Sequence, residues 1–278
     1  MAYFQTKGVA FVTGSAGGIG QGAANALAAA GATAIAFADI DEARVKAAAE
    51  ESKKHAIDSN YRVKAFRLDT SDRKAVEEVV QAVAEEFGRI DYLVHSAGVD
   101  QVEYAPVPDD DPDDFDRVQR INATGLLNVS RAVAKVMEAQ EPRQFTTVSG
   151  TQRDLGRGVI VNVASAAAFV GIPAKVGYVA SKWASLGITK TLAVDLAPKG
   201  IRVNCMCPTW VDTPMFKGEQ EKIPPITDLI KKINPAGRPA EVDEVGNSIV
   251  YLCSPAASYV NGHALTLDAG MTAGPMIT

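Results

Sequence analysis

The sequence predicts an α/β protein: a single domain, residues 1–278, in which a doubly wound parallel sheet of about seven strands carries helices on both faces. Three observations lead to this prediction. Short apolar runs alternate with longer helical patterns along the chain, as in successive βαβ units. A glycine-rich turn separates the first apolar run from the first helical pattern. The length of 278 residues is ordinary for one sheet covered on both faces.

Most of the predicted strands are short apolar runs, which is typical of parallel strands buried on both faces. They span residues 8–13, 33–38, 62–68, 90–94, 159–163, 201–206 and 263–267. The helical patterns between them include residues 19–30, 42–54, 73–87 and 242–253. Another helix is expected to begin at Pro112, and the helix that contains Tyr178 is expected to end at Pro198 and Gly200.

Composition excludes several classes of protein. Hydrophobic residues make up 47% of the chain and charged residues 22%, which is typical of a soluble globular protein. The net charge is −5 and no basic cluster occurs, so we expect neither nucleic acid nor membrane as a partner. Cys205, Cys207 and Cys253 are better explained as buried thiols than as a metal site, so no metal is expected. No apolar run resembles a signal peptide or a membrane span, which predicts a cytoplasmic protein.

The glycine-rich turn, residues 13–20, predicts dinucleotide binding. Gly14, Gly18 and Gly20 let the backbone turn tightly and approach a pyrophosphate, whose charge the following helix N-terminus attracts. Because the turn follows a strand and opens a helix, it indicates a Rossmann-type sheet. Asp39 ends the next strand nineteen residues past Gly20, where a carboxylate can accept hydrogen bonds from the adenosine ribose. Helix capping is the alternative for Asp39, although Asp41 is better placed for it.

A tyrosine and a lysine in the second half of the chain are candidate acid/base residues. Tyr178 and Lys182 are four residues apart in a predicted helix, so they share one face. A neighbouring ammonium favours the phenolate and brings a phenol of pKa about 10 within range of proton transfer. Ser165 follows the strand at 159–163, where its hydroxyl could bind a substrate oxygen. An ordinary surface pair is the alternative for Tyr178 and Lys182, because this spacing also arises by chance.

Taken in order, these motifs resemble those of the short-chain dehydrogenase/reductase family. Residues 13–20 match its Thr-Gly-x-x-x-Gly-Ile-Gly pattern, and Ser165, Tyr178 and Lys182 match its serine and its Tyr-x-x-x-Lys motif. The resemblance covers nearly the whole chain. It implies that Asn122 completes a catalytic tetrad by holding a water linked to Lys182. It also implies a homo-oligomer, a tetramer or dimer packed through the helices that carry Asn122 and Tyr178.

The resemblance implies a larger set of cofactor-binding residues and favours NAD(H) over NADP(H). Where relatives that bind the 2′-phosphate have Arg or Lys, this chain has Ser15, Ala16 and Ile40. Asp69 is implied at the adenine, and Val211 and Thr213 at the nicotinamide carboxamide. The full implied set is Gly14, Ser15, Gly18, Ile19, Gly20, Asp39, Ile40, Asp69, Thr70, Ala97, Gly98, Tyr178, Lys182, Pro208, Val211 and Thr213.

Some segments depart from the family pattern or extend it. His95 and Ser96 stand where the family usually has Asn-Asn, and Thr209 stands where it has glycine; we interpret His95 as structural. Residues 140–157 predict an inserted surface loop on the sheet edge away from the catalytic ends. Residues 209–238 predict a flap that closes over the substrate.

The expected reaction is NAD(H)-dependent interconversion of a secondary alcohol and a ketone by hydride transfer. Tyr178 would exchange the proton, Ser165 would polarise the oxygen, and Lys182 would lower the pKa of the tyrosine and hold the nicotinamide ribose. Apolar flap residues with Trp210 and Phe169 indicate an apolar or cyclic substrate, unless they only pack the flap onto the domain. Three alternatives stay open: an NADPH-dependent ketoreductase, an isomerase or dehydratase without net redox change, and a binding protein without catalysis.

Overall fold

A computed structural model describes residues 2–274 of the protein, and its main feature in that range is a seven-stranded sheet. The strands of the chain are β1 (Val9–Thr13), β2 (Ala34–Asp39), β3 (Arg62–Arg67), β4 (Tyr92–His95), β5 (Arg143–Thr146), β6 (Gln152–Gly156), β7 (Gly158–Val163), β8 (Ile201–Pro208) and β9 (Ala264–Leu267). The sheet order is β3-β2-β1-β4-β7-β8-β9, and every pairing in it is parallel. The predicted fold class is confirmed.

Helices cover both faces of this sheet. The α-helices of the described residues are α1 (Gly18–Ala29), α2 (Glu42–Ser52), α3 (Arg73–Phe87), α4 (Pro112–Gln119), α5 (Gly125–Glu138), α6 (Val176–Leu196), α7 (Pro214–Lys222), α8 (Ile226–Ile233) and α9 (Val242–Cys253). One core cluster joins the sheet to α1, α2 and α9, and a second joins its other face to α3 and α5. The apolar runs of the sequence form strands because β1, β4 and β7 are buried along their whole length.

Strand order reverses between β1 and β4, which places a crevice at the carboxyl ends of these two strands. Asp41, rather than Asp39, caps α2, because its side chain accepts a hydrogen bond from the Arg44 amide. This agrees with the interpretation from the sequence and leaves the Asp39 carboxylate at the crevice.

The segment at residues 140–157 is not the irregular loop that we expected. β5 and β6 form an antiparallel hairpin, with Phe145 opposite Arg153 and a turn at Gly150, where φ is 83°. The hairpin lies next to the amino end of β8, since the amide of Arg157 donates a hydrogen bond to the carbonyl of Gly200. The hairpin is therefore on the far side of the sheet from the crevice.

The segment at residues 209–238 is largely helical. It contains α7 and α8, whose buried side chains Phe216, Ile226 and Ile230 pack together with the partly buried Trp210. The apolar residues of this flap therefore form a small core of their own. No helix within residues 2–274 is long and apolar enough to cross a membrane.

Candidate active site

Three of the predicted catalytic residues meet at the carboxyl end of β7. Ser165 follows this strand by two residues, and its Oγ accepts a hydrogen bond of 3.1 Å from the Ala167 amide. Tyr178 lies in the first turn of α6 and Lys182 in the second. The Lys182 Nζ donates to the Val163 carbonyl at 3.3 Å and lies 5.4 Å from the centre of the Tyr178 ring.

Asn122 completes the group through an irregular turn between α4 and α5. Residues Arg120–Thr124 form a single π-turn, a feature that often marks functional sites because it redirects one side chain. The Asn122 amide group bonds both backbone groups of Val99 at 2.8 Å and the Ser181 hydroxyl at 3.0 Å. It thereby joins the loop after β4 to the helix that carries Tyr178.

The electrostatics of Tyr178 differ from the expectation that Lys182 brings its pKa near neutrality. In the protein alone, burial raises the pKa of the Tyr178 phenol well above its ordinary value, and the carboxylates of Asp100 and Glu219 raise it further. The Ser165 hydroxyl acts in the opposite direction by hydrogen bonding. Burial also lowers the pKa of Lys182. The phenol is therefore protonated at neutral pH in the protein alone.

The crevice at the switch point is a cavity of about 330 Å³. Close backbone packing shapes its floor: a Cβ at Gly14 would lie 2.6 Å from the Ala97 nitrogen, and one at Gly20 would lie 2.1 Å from the Gly14 oxygen. Gly14 and Gly18 also have positive φ angles of 66° and 52°, which favour glycine. The predicted residues that line this cavity are Gly14, Gly18, Ile19, Asp39, Ile40, Asp69, Thr70, Ala97, Gly98 and Thr213.

The remaining predicted cofactor residues lie outside this cavity. Ser15 is buried beneath it and donates its hydroxyl to the Ala38 carbonyl at 3.2 Å. Gly20 is buried against Gly14. Pro208, Val211 and Tyr178 line the adjoining cavity, and Lys182 is buried behind Tyr178.

The crevice fits a nicotinamide dinucleotide. A floor that a single Cβ would fill, followed by the N-terminus of α1, suits a diphosphate. The Asp39 carboxylate is held at the rim by hydrogen bonds from the amides of Ala16 at 3.0 Å and Asp41 at 3.1 Å. Gly98 lies against both Asn122 and Lys182, so the crevice continues to the catalytic group.

Sequence reasoning missed Arg44, which lines the crevice with Asp39. Its Nη2 would lie 2.9 Å from a Cβ at Gly17, so the guanidinium reaches over the glycine-rich turn. In the sequence it is one of several charged residues of α2, and nothing there separates it from the rest. Its position predicts contact with a phosphate or with the adenosine.

A second cavity, of about 360 Å³, adjoins the first and shares Ile19, Thr213 and Met215 with it. Ser165 and Tyr178 line this cavity. Its other walls are mainly apolar and include Val170, Ile172, Pro173, Trp210, Phe216, Leu229, Ile233 and Met271. Three charged residues, Asp100, Lys175 and Glu219, also line it, and no pattern in the sequence indicates them.

His95 lies at the end of β4 outside both cavities, as its interpretation as a structural residue requires. Its Nδ1 hydrogen-bonds the Thr13 hydroxyl at 2.9 Å, and its Nε2 has no partner within the described residues. Burial, with a smaller effect from Lys182, lowers the pKa of His95 to about 3. Of the other departures from the family pattern, Ser96 lines the crevice and Thr209 the second cavity.

A glycine-floored crevice beside a partly buried tyrosine and serine and a buried lysine is typical of a dinucleotide-binding oxidoreductase. Comparisons with known proteins agree. A family model described as enoyl-(acyl carrier protein) reductase matches residues 14–272. The short-chain dehydrogenase fogB of Aspergillus ruber is 39% identical over 95% of this chain and 97% of its own length. D-threitol dehydrogenase of Mycolicibacterium smegmatis is 37% identical over 95% of this chain and 92% of its own length.

Solved structures give the same result. Levodione reductase superposes with a TM-score of 0.86 and 30% identity, over 98% of this chain and 100% of its own. A gluconate 5-dehydrogenase from Burkholderia cenocepacia, in complex with NADP and tartrate, has a TM-score of 0.85 and 29% identity over 99% of both chains. A 3-oxoacyl-[acyl-carrier protein] reductase from Brucella melitensis, in complex with NAD, has a TM-score of 0.85 and 28% identity over 98% of this chain and 100% of its own. The chain belongs to the short-chain dehydrogenase/reductase family and is an oxidoreductase of that type, a family that uses nicotinamide cofactors.

Proposed function

We propose that the protein is an NAD(H)-dependent oxidoreductase that interconverts a secondary alcohol and a ketone on a small, largely apolar molecule. The observation that carries this proposal is the meeting of Ser165 and Tyr178 in an apolar cavity that adjoins the glycine-floored crevice. A nicotinamide cofactor, when bound, supplies or accepts the hydride.

The protein's own residues transfer the proton. Tyr178 donates its phenolic proton to the carbonyl oxygen in reduction and accepts the hydroxyl proton in oxidation. Ser165 holds and polarises the same oxygen, and its hydrogen bond favours the phenolate. Lys182, buried behind the ring, adds positive charge there, and Asn122 keeps α6 in register with the loop after β4.

The raised pKa of Tyr178 bears on direction. A phenol whose pKa is above its ordinary value is protonated at neutral pH, which suits a proton donor. Ketone reduction should therefore proceed at neutral pH, while alcohol oxidation should accelerate as the pH rises.

NAD(H) is proposed over NADP(H) because of Asp39. A carboxylate at this rim can accept hydrogen bonds from ribose hydroxyls and repels a 2′-phosphate. An NADPH-dependent ketoreductase is the second candidate, and Arg44 is the observation that favours it, since a guanidinium in the same crevice could hold that phosphate.

The test combines binding and turnover. Thermal unfolding with NADH and with NADPH shows which cofactor stabilises the fold, and a panel of cyclic and open-chain ketones is then screened with that cofactor. Tyr178→Phe should lose at least about 100-fold in kcat, as expected for removal of an acid/base group, and should keep the NADH-induced rise in Tm. Tyr259→Phe, at a fully exposed tyrosine, is the matched control. Turnover at the wild-type rate in Tyr178→Phe would refute the proposal.

A homo-oligomer is also proposed. Leu127 on α5 and Trp183 and Val194 on α6 are 38%, 52% and 74% exposed, and a second copy of the chain packed on these two helices would cover them. Light scattering coupled to size exclusion measures the assembly directly, and a monomer would contradict this proposal.

A further inference from the structure

A second lysine lies beside the tyrosine. Lys175 directly precedes α6, and its side chain is only 6% exposed. Its Nζ lies 3.0 Å from Asp100 Oδ2 and 2.6 Å from Glu219 Oε1. The same ammonium lies 5.5 Å from the centre of the Tyr178 ring. Lys175 therefore joins the loop after β4, the flap helix α7 and the helix that carries Tyr178.

Other contacts hold this arrangement in place. The Tyr104 hydroxyl donates to Asp100 Oδ2 at 2.5 Å, and Lys175 Nζ lies 4.3 Å from the Tyr104 ring centre. Lys222, also on α7, donates to the Gln101 carbonyl at 2.7 Å, and the Gln101 side chain accepts from the Tyr178 amide at 3.1 Å. The flap helix is thus fixed to the tyrosine through two neighbouring residues of one loop.

The backbone before Lys175 is strained. Ala174 has a φ of 62°, in the left-handed region that non-glycine residues rarely adopt. Such a conformation is unfavourable for a residue with a Cβ and persists only where surrounding contacts hold it. This residue directly precedes Lys175, whose buried side chain lies between two carboxylates.

The charges around Tyr178 come from several elements. On its own helix are Lys182 and, at the entrance, Lys175; the loop after β4 contributes Asp100 and Tyr104, and α7 contributes Glu219 and Lys222. Ser165 faces the phenol from the end of β7. Behind Lys182 are His95 on β4 and Cys205 and Cys207 on β8.

The two carboxylates oppose ionisation of the tyrosine. Asp100 and Glu219 each raise the pKa of Tyr178, because a phenolate beside them would add a further negative charge. Glu219 is brought there by the flap helix. Without a cation between them, closing the flap would make the proposed acid/base residue harder to deprotonate.

We propose that Lys175 is a positioning residue for proton transfer: it clamps Glu219 of the flap helix to Asp100 and offsets the charge of both carboxylates beside Tyr178. This inference rests on the proposed role of Tyr178. It assigns to the flap an electrostatic function in addition to covering the substrate.

The first test is the pH dependence of alcohol oxidation, with the alcohol corresponding to the best ketone of the screen. Lys175→Met leaves two uncompensated carboxylates, so the pH at which kcat/KM reaches half its plateau should rise by about one unit. Lys175→Arg keeps the charge and should restore most of that shift. Glu219→Gln in the Lys175→Met background removes one carboxylate and should also move the midpoint back.

A purely structural role gives a different result. It would lower the rate of Lys175→Met at every pH and leave the midpoint in place, which overturns the proposal. Tyr178→Phe distinguishes failure of the Lys175 proposal from failure of the proposed function. If Tyr178→Phe is inactive while the midpoint in Lys175→Met is unchanged, only the proposed role of Lys175 is wrong. If Tyr178→Phe keeps wild-type turnover, the proposed function fails.

Hydrogen exchange gives a readout that needs no substrate. Amides of α7 should exchange at least several-fold faster in Lys175→Met than in the wild type, because the clamp between α7 and the loop after β4 is lost. Lys231→Met, which removes an exposed lysine that pairs with Asp228 of the same helix α8, is the matched control and should leave α7 unchanged. Equal exchange of α7 in Lys175→Met and the wild type would refute the clamp.

Discussion

Replacing His95 by Asn should make the protein less sensitive to acid. His95 is buried, and burial lowers its pKa to about 3 in the folded protein, against about 6.5 in an unfolded chain. Between these two pH values the unfolded state binds a proton at this histidine and the folded state does not. The free energy of unfolding is therefore unaffected by His95 above pH 6.5 and falls as the pH decreases below it. A group whose pKa is lower in the folded than in the unfolded protein always makes the free energy of unfolding fall with decreasing pH in this way.

The magnitude follows from that difference. Each pH unit below 6.5 should cost about 1.4 kcal/mol, so the step from pH 7.5 to pH 5.0 should cost about 2 kcal/mol through this residue. Asn can keep a hydrogen bond to the Thr13 hydroxyl, which the His95 Nδ1 now makes at 2.9 Å, and it cannot be protonated.

The assay is urea unfolding at pH 7.5 and at pH 5.0, at one protein concentration, followed by tryptophan fluorescence. The difference in unfolding free energy between His95→Asn and the wild type should shift by about 2 kcal/mol in favour of the variant at the lower pH. His55→Asn, at an exposed histidine, is the control and should show no such shift. Parallel loss of stability in His95→Asn and the wild type would show that the imidazole accepts a proton in place, and the argument from burial would be wrong.

Three further predictions concern the crevice. Asp39→Ala should lower the ratio of kcat/KM with NADH to kcat/KM with NADPH, and Arg44→Ala should weaken binding of NADPH more than of NADH. If these ratios are unchanged, neither residue determines cofactor preference. Gly14→Ala should lower Tm and abolish the NADH-induced rise, because the added Cβ would lie 2.6 Å from the Ala97 nitrogen at a φ of 66°. Its control is Gly218→Ala in α7, where a Cβ has nothing within 4 Å, and which should be neutral or stabilising by up to about 1 kcal/mol.

Local signals in the sequence were sufficient for the sheet and the cofactor crevice. Apolar runs located the interior strands β1, β4, β7 and β8 to within two residues, because strands buried on both faces must be largely apolar. The glycine-rich turn and Asp39 are also local features, since a tight turn and a strand end each need particular residue types. Ser165, Tyr178 and Lys182 could be grouped because the strand and the helix that carry them are consecutive.

Interactions between distant segments could not be predicted in this way. β5 and β6 carry mainly polar residues without alternation, so the hairpin left no apolar pattern. Asp100, Lys175 and Glu219 come from three separate elements, and each alone resembles an ordinary surface charge. The raised pKa of Tyr178 depends on its burial, which the sequence does not show.

The second cavity combines features that together limit the substrate. Its walls at the flap are apolar, from Trp210, Phe216 and Leu229, whereas the end near Tyr178 holds one ammonium between two carboxylates. Because Lys175 is already paired with both, it offers no free charge to an acidic substituent, and such a group would face a net negative surface. A molecule with an apolar body and a neutral oxygen at the reacting carbon satisfies both ends of the cavity. The charged cluster therefore argues for the neutral ketone or alcohol of the proposed function rather than for a substrate acid.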